Sequence, residues 1–338
     1  MKKNTFRIYD AEIKAGEKAT LALPLPEQYS CSPMYMTIKI VNGKKEGPRL
    51  LLFSVLQGND LNGMEIVNQL YDQINANELE GTLIIVPVLN VYGLIHYPKV
   101  TPSGVALENC FPGDPEGSFG ERVAHIVTEN LIKHADYCIE YLTGSVNHEI
   151  LPQVYCSFDE AEQKKIAKVF QAPVITEVET QKNTLRETIE NLQIPLLAYE
   201  AGEAQRFDAT AIQTGIDGSK NVMRKLGLLQ DPLTSGVHPV FSKDEDWLTA
   251  HASGLLYSDV SLGDHVKTGD HLGTLNDPFG KAASIKIKSQ CSGIIVGVNR
   301  SPLIQEGESI FKIVSFIDNA KAGSVIEEWE EQKPEIDS

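Results

Sequence analysis

An apolar run, Leu50–Leu56, passes directly into the polar loop Gln57-Gly58-Asn59-Asp60-Leu61-Asn62-Gly63, and then into apolar residues at helical spacing, Ile66, Leu70 and Ile74. Gly47-Pro48 sets the run off from what precedes it. A short apolar run bounded by turn residues is the pattern of a strand buried on both faces. A second such strand is predicted at Thr82–Leu89, after Glu80-Gly81. Strand, helix and strand within ~50 residues make a βαβ unit, so the sheet contains parallel pairs and the chain is α/β. Ligands of open α/β sheets bind at loops on the carboxyl ends of strands. Gln57–Gly63 is therefore the first candidate site.

The remaining pattern extends this unit. Residues 1–35 read as extended structure on the domain edge, with the Pro-rich piece Leu23-Pro24-Leu25-Pro26. A strand is predicted at Tyr35–Val41, ending in the turn Asn42-Gly43. Asn90–Gly117 has no periodicity, and a loop of that length in a compact domain is a functional candidate. Helices are predicted at Phe119–Ile132, Glu160–Phe170, Thr184–Asn191, capped by Asn183 or Thr184, and Thr210–Leu226, ended by Gly227. Strands are predicted at Tyr137–Leu142, Pro173–Ile175 and Pro195–Ala198, with Thr143–Pro152 as a loop. From Val240 to Ile317 short alternating runs and many glycines replace the helical pattern. The tail, with Glu327-Glu328-Trp329-Glu330-Glu331, reads as acidic and mobile.

Composition narrows the function. The 338 residues carry a formal net charge of -16, with 42% hydrophobic and 22% charged residues. That is a globular composition. The acidic balance excludes a nucleic-acid partner, which needs a basic face, and a polybasic membrane patch. No apolar run reaches the ~18 residues of a membrane span, and no signal peptide stands behind Lys2-Lys3. The five cysteines, Cys31, Cys110, Cys138, Cys156 and Cys291, are scattered and form no Cys-x-x-Cys pair. They read as reduced thiols of a cytoplasmic protein rather than a structural zinc cluster.

Gln57–Gly63 resembles the signature of the succinylglutamate desuccinylase/aspartoacylase family, His-Gly-Asp/Asn-Glu-Leu-Asn/Ser-Gly. Gln57 stands at the family's first His and Asp60 at its Glu. The resemblance continues through most of the chain. Lys99–Gly113 is similar to a family segment in which an Arg, at the place of Lys99, polarises the scissile carbonyl. There Ala106-Leu107-Glu108-Asn109 replaces Asp-Leu-Asn-Arg, so Glu108 and Asn109 hold substrate-binding positions. Tyr141-Leu142-Thr143-Gly144 is similar to Leu-His-Thr-Gly, with Leu142 at the third zinc ligand. Leu185-Arg186 and Glu200-Ala201-Gly202-Glu203 match the family's Leu-Arg and Glu-x-Gly-Glu, which makes Arg186 a substrate-binding position and Glu200 the general base.

The resemblance implies a carboxypeptidase-like three-layer α/β/α domain with a mixed sheet at 1–235. It implies a small all-β barrel-sandwich domain, lipoyl/biotinyl-like, at 236–318, with the acidic tail at 319–338. Lys281 and Lys286 lack the tight hairpin tip of a carrier lysine, so that domain reads as a cap over the cleft. The family is a set of zinc-dependent amide hydrolases. A catalytic zinc needs about three protein ligands, and of Gln57, Asp60 and Leu142 only Asp60 is a plausible one. Zinc is implied by the family but is not held tightly by this set. His148, His96 and Glu140 are the residues near enough in the chain to rebuild a site. Cys110 lacks an evident His partner and reads as structural.

Three readings follow. The chain is a degenerate, weak or inactive member that binds a small ligand or partner in the inherited cleft. Alternatively it is an active metal-dependent hydrolase of an N-acyl amino acid or related amide, with Asp60, His148 and Glu140 or Gln57 on the metal, Lys99 on the carbonyl and Glu200 as base. Or it is a non-catalytic structural subunit. The oligomeric state is left open.

Overall fold

The computed structural model describes residues 4–27, 31–96, 100–234, 236, 238–242, 244–316 and 319–332. The expectations for Lys99 and for residues 333–338 lie outside them. One large mixed sheet organises the molecule. Its strands run in the order Asp244–Thr249, Ser309–Ser315, Gly293–Asn299, His148–Cys156, Leu196–Glu203, Tyr137–Gly144, Lys45–Ser54, Glu80–Val86, Tyr35–Asn42 and Glu17–Pro24. The four from Leu196–Glu203 to Glu80–Val86 are mutually parallel, as the βαβ reading requires. Their carboxyl ends gather Ser54, Gly144 and Glu203 at one edge of the sheet, and the candidate loop sits there.

Helices cover both faces. Leu61–Gln73, Ala161–Phe170 and Ala209–Leu226 pack Ile66, Leu70, Ile166, Phe170, Ile216 and Val222 onto one face. Phe119–Asn130 and Leu185–Asn191 pack Val123, Val127, Leu185 and Ile189 onto the other, beside the N-terminal strands. Each such buried side chain contributes ~1.5–3 kcal/mol of burial free energy. Local signals place the ends. Ser118 and Glu121 form a reciprocal capping box. Of the two cap candidates at 183 and 184, Thr184 accepts from the Glu187 amide. Asp208 accepts from the Ala211 amide, and Gly227 closes the same helix in the left-handed conformation.

Three expectations need correction. Thr143–Pro152 is not a loop: the strand Tyr137–Gly144 turns through 145–147 into the strand His148–Cys156. That strand is buried on both faces but carries polar residues, so neither alternation nor an apolar run marks it. The C-terminal strands form no closed barrel among the described residues. Gly293–Asn299 instead pairs with His148–Ile150 and extends the main sheet. A separate four-stranded sheet, Ile285–Lys288, His271–Asn276, Gly254–Ser258 and Leu303–Ile304, packs against that extension around Leu272, Leu275, Phe311 and Ile313. The segment read as a mobile tail is helical at Asn319–Glu331, because Ala322, Ile326 and Trp329 recur at helical spacing and bury together. No helix among the described residues is long and apolar enough to cross a membrane.

Candidate active site

The Gln57–Gly63 loop begins under strain. Val55, buried just after the strand Lys45–Ser54, has a φ of 56°, a region β-branched residues avoid. Such a residue costs of order 1–3 kcal/mol and persists only where its surroundings dictate it. Here the Val55 carbonyl accepts from the Asn90 amide at 3.0 Å. Gly58 has a φ of 89°, and a Cβ there would lie 2.7 Å from the Gly93 carbonyl. Only glycine fits.

Asp60 is buried at 1% exposure. Its Oδ1 accepts from the Thr143 amide at 3.2 Å and from the Thr143 hydroxyl at 3.1 Å. Its Oδ2 accepts from the Gln57 amide at 3.3 Å. The fold therefore brings positions 57, 60 and 142 together, with Leu142 half-buried beside Thr143. Burial pushes the Asp60 carboxyl up to about 6, the hydrogen bonds from Thr143 and Gln57 oppose that shift, and the Glu140 charge adds to it.

Glu200 lies one strand away. It is the ladder partner of Leu142 on one side and of Gln153 on the other. The Tyr155 hydroxyl donates to Glu200 Oε2 at 2.7 Å, and Gln153 Nε2 approaches the same oxygen at 3.4 Å. Lys312 Nζ, from the strand Ser309–Ser315, donates to the Tyr155 oxygen at 2.9 Å and lies 2.8 Å from Glu245 Oε2. Burial raises the Glu200 carboxyl above the ordinary range, while the Lys312 charge and the Tyr155 hydrogen bond pull it back. Burial, with Glu200 and Glu245 nearby, raises the Tyr155 hydroxyl further still, so Tyr155 stays a proton donor. Tyr155, Gln153, Glu245 and Lys312 were not singled out from sequence. Lys312 had a signal: it is the lone charge in the apolar run Ile310-Phe311-Lys312-Ile313-Val314.

Arg186 stands at the opening of the helix Leu185–Asn191 and bonds Glu140 Oε2 through Nε at 2.9 Å. Glu140 is only 2% exposed, and its charge is the leading cause of Arg186's raised pKa, with Glu108 and Glu200 contributing. Glu108 is half-buried and Asn109 exposed on the short turn Leu107–Cys110. Cys110 is buried, and burial, with Glu121 adding, raises its thiol pKa, which suits a structural role. The residues proposed to rebuild a metal site do not converge. His148 turns to the backbone carbonyls of Val146 and Ser309, at 3.0 and 3.2 Å, and packs edge-on to Trp247. Glu140 is held by Arg186. His96 is exposed and stacks on Tyr92.

Residues 46–226, more than half of the chain, match the family model described as the succinylglutamate desuccinylase/aspartoacylase catalytic domain. The chain belongs to this family. It is similar to N-alpha-acetyl-L-2,4-diaminobutyric acid deacetylase of Halomonas elongata, with 25% identity over 323 residues, 92% of this chain and 94% of that protein. The fold is that of succinylglutamate desuccinylase/aspartoacylase from Rhodobacter sphaeroides, at a TM-score of 0.79 and 19% identity, covering 88% of this chain and 96% of that one. The product-bound ectoine utilization protein EutE (DoeB) from Ruegeria pomeroyi is similar at a TM-score of 0.78 and 21% identity, over 87% and 95% of the two chains.

The family is generally zinc-dependent, and this donor set does not fit the ion. Among the described residues no group of three or more His, Cys, Asp or Glu is arranged to hold a metal. Gln57 offers an amide and Leu142 a hydrocarbon. Both oxygens of Asp60, the one carboxylate of the three positions, are already turned to N–H and O–H donors. Those bonds hold Asp60 against Gln57 and Thr143.

Proposed function

We propose that this chain is a family member that has given up zinc-dependent hydrolysis and keeps the cleft as a metal-independent site for a small ligand. What carries the reading is the state of Asp60. Of about four lone-pair sites on a carboxylate, three on Asp60 accept bonds from Thr143 and Gln57, and neither Gln57 nor Leu142 sets a second strong metal donor beside it. The other replacements agree with it. Asn109 cannot make the bidentate grip of a guanidinium on a carboxylate, and Glu108 disfavours an acidic group at that end. Arg186, paired with Glu140 and 30% exposed at its side chain, is the more exposed of the two cations near Glu200 and the one a ligand carboxylate would meet. Glu200 is spoken for by Tyr155 at 2.7 Å. It then serves as a hydrogen-bond acceptor rather than as the base for a metal-bound water, whose pKa of ~7 this chain has no means to produce.

The full-length similarity to a deacetylase favours the second reading, an active hydrolase with a rebuilt metal site. One measurement separates the two. Protein purified without a His tag and without added zinc is analysed for metal and heated with and without zinc. The metal-free reading expects well under one zinc per chain and no thermal shift. Stoichiometric zinc, with a raised Tm, overturns it. A thermal-shift screen with acylated amino acids then distinguishes a ligand-binding protein, which is stabilised, from a structural subunit, which is not.

A further inference from the structure

We infer that Lys312 is the resident cation of this cleft: its ammonium, fixed against Tyr155 and Glu245, supplies beside Glu200 the positive charge that zinc supplies in the family, and selects against a dication there. The inference rests on the metal-free reading above.

Lys312 is 5% exposed, on a strand whose neighbours Phe311 and Ile313 are buried in the C-terminal core. A lysine is seldom buried without a partner, because its ammonium loses hydration. Here the loss is met on several sides. Glu245 Oε2 lies at 2.8 Å, the Tyr155 oxygen accepts at 2.9 Å, and the rings of Tyr155 and Trp247 lie 5.5 and 6.0 Å from Nζ. Tyr155 has one proton. The hydroxyl lies 2.7 Å from Glu200 Oε2 and 3.3 Å from Glu245 Oε2; the shorter contact assigns the proton to Glu200, and the oxygen lone pair receives Lys312. The cation and Glu200 are thus joined through a single hydroxyl, across strands far apart in the chain. Leu142, at the family's third ligand position, is Glu200's ladder partner. Position 142 therefore adjoins Glu200, which the ammonium reaches through the Tyr155 hydroxyl by two hydrogen bonds. A fixed positive charge in a partly dehydrated site raises the cost of adding a dication beside the same carboxylate.

The test restores the lost ligands and asks whether Lys312 opposes the metal. The full chain carrying Q57H and L142H is titrated with zinc chloride in competition with a chelator. Adding K312Q is expected to raise zinc affinity tenfold or more. Adding K312R, which keeps the charge, is expected to change it less than threefold. Adding E245Q, which leaves the ammonium less compensated, is expected to weaken zinc several-fold. Equal affinity with and without K312Q, including no binding in either, overturns the inference. Should K312Q not fold, E245Q decides, and an unchanged affinity there overturns it. Stoichiometric zinc in the unmodified protein overturns the metal-free reading along with this one, whereas equal affinities overturn this one alone.

Discussion

Asp60, buried, and Glu200, half-buried, are two carboxylates at the same end of the sheet with a single strand between them, and they are satisfied in opposite ways. Asp60 is caged by neutral donors, two of them backbone amides supplied by its own loop and by the neighbouring strand. Glu200 is reached by side chains from distant segments, ending in a buried cation. Burial raises both, but only the Glu200 side has a fixed ammonium set against that rise. The first arrangement preserves a loop; the second preserves a charge.

The largest effect should come from the cation. Lys312→Met takes from Glu200 its leading counter-charge and leaves Arg186 as the other; because Glu245 is itself a third exposed, the loss falls below that of a fully buried pair, at about 2–3 kcal/mol. Urea denaturation should show a midpoint lowered accordingly, and Lys312→Arg should recover much of it. A loss under 1 kcal/mol would mean that Lys312 is solvated and that the two carboxylates do not differ in this way.

Asp60 should instead be visible through pH. Its folded carboxyl titrates at about 6, above the ordinary value of 3.8. The folded state then holds the proton more tightly than the unfolded chain, so Asp60's contribution to stability is fully present below about pH 4 and is lost as pH rises through about 6. A rise of about two pK units corresponds to at most about 3 kcal/mol. Asp60→Asn removes this dependence, so its Tm should fall less between pH 4 and 7 than that of the unmodified protein. An identical pH profile would show that Asp60 is not the titrating group.

The smallest pair compares the hydroxyls. Tyr155→Phe should cost roughly 1–3 kcal/mol, because it removes one hydrogen bond each from Lys312 and Glu200, which keep Glu245 and Gln153. Thr143→Val should cost about 1 kcal/mol, because the Thr143 amide still bonds Asp60. Denaturation of the two variants side by side checks the order, and the reverse order would break the comparison.

The half of the site made of local signals was legible from sequence. The resemblance to short family motifs singled out positions 57, 60, 142 and 200, which the fold brings to one end of the sheet, and residue type marked the helix cap at Thr184. The half that depends on distant pairing was not. Gln153 and Tyr155 lie on a strand whose buried polar residues find their partners, Glu200, Thr176 and Lys312, on other strands, so periodicity does not reveal it. Glu245 and Lys312 reach the site because Gly293–Asn299 pairs with His148–Ile150, a register that no local pattern encodes. The same pairing is why two packed sheets are found where the resemblance implied a barrel. The acidic residues of Asn319–Glu331 obscured an apolar stripe that was present all along.

The junction between His148–Ile150 and Gly293–Asn299 also sets a timetable for the nascent chain. Glu200 leaves the ribosome on the order of 5–20 s before Lys312, which follows it by roughly a hundred residues. Throughout that interval the carboxylate lacks its ammonium and the edge of the sheet at His148–Ile150 lacks its next strand. An open edge of this kind is a template for intermolecular pairing. Synthesis that stops near residue 226, where the family match ends, freezes the chain in that state. Such a fragment should therefore be recovered in aggregates, although it contains every position of the family signature.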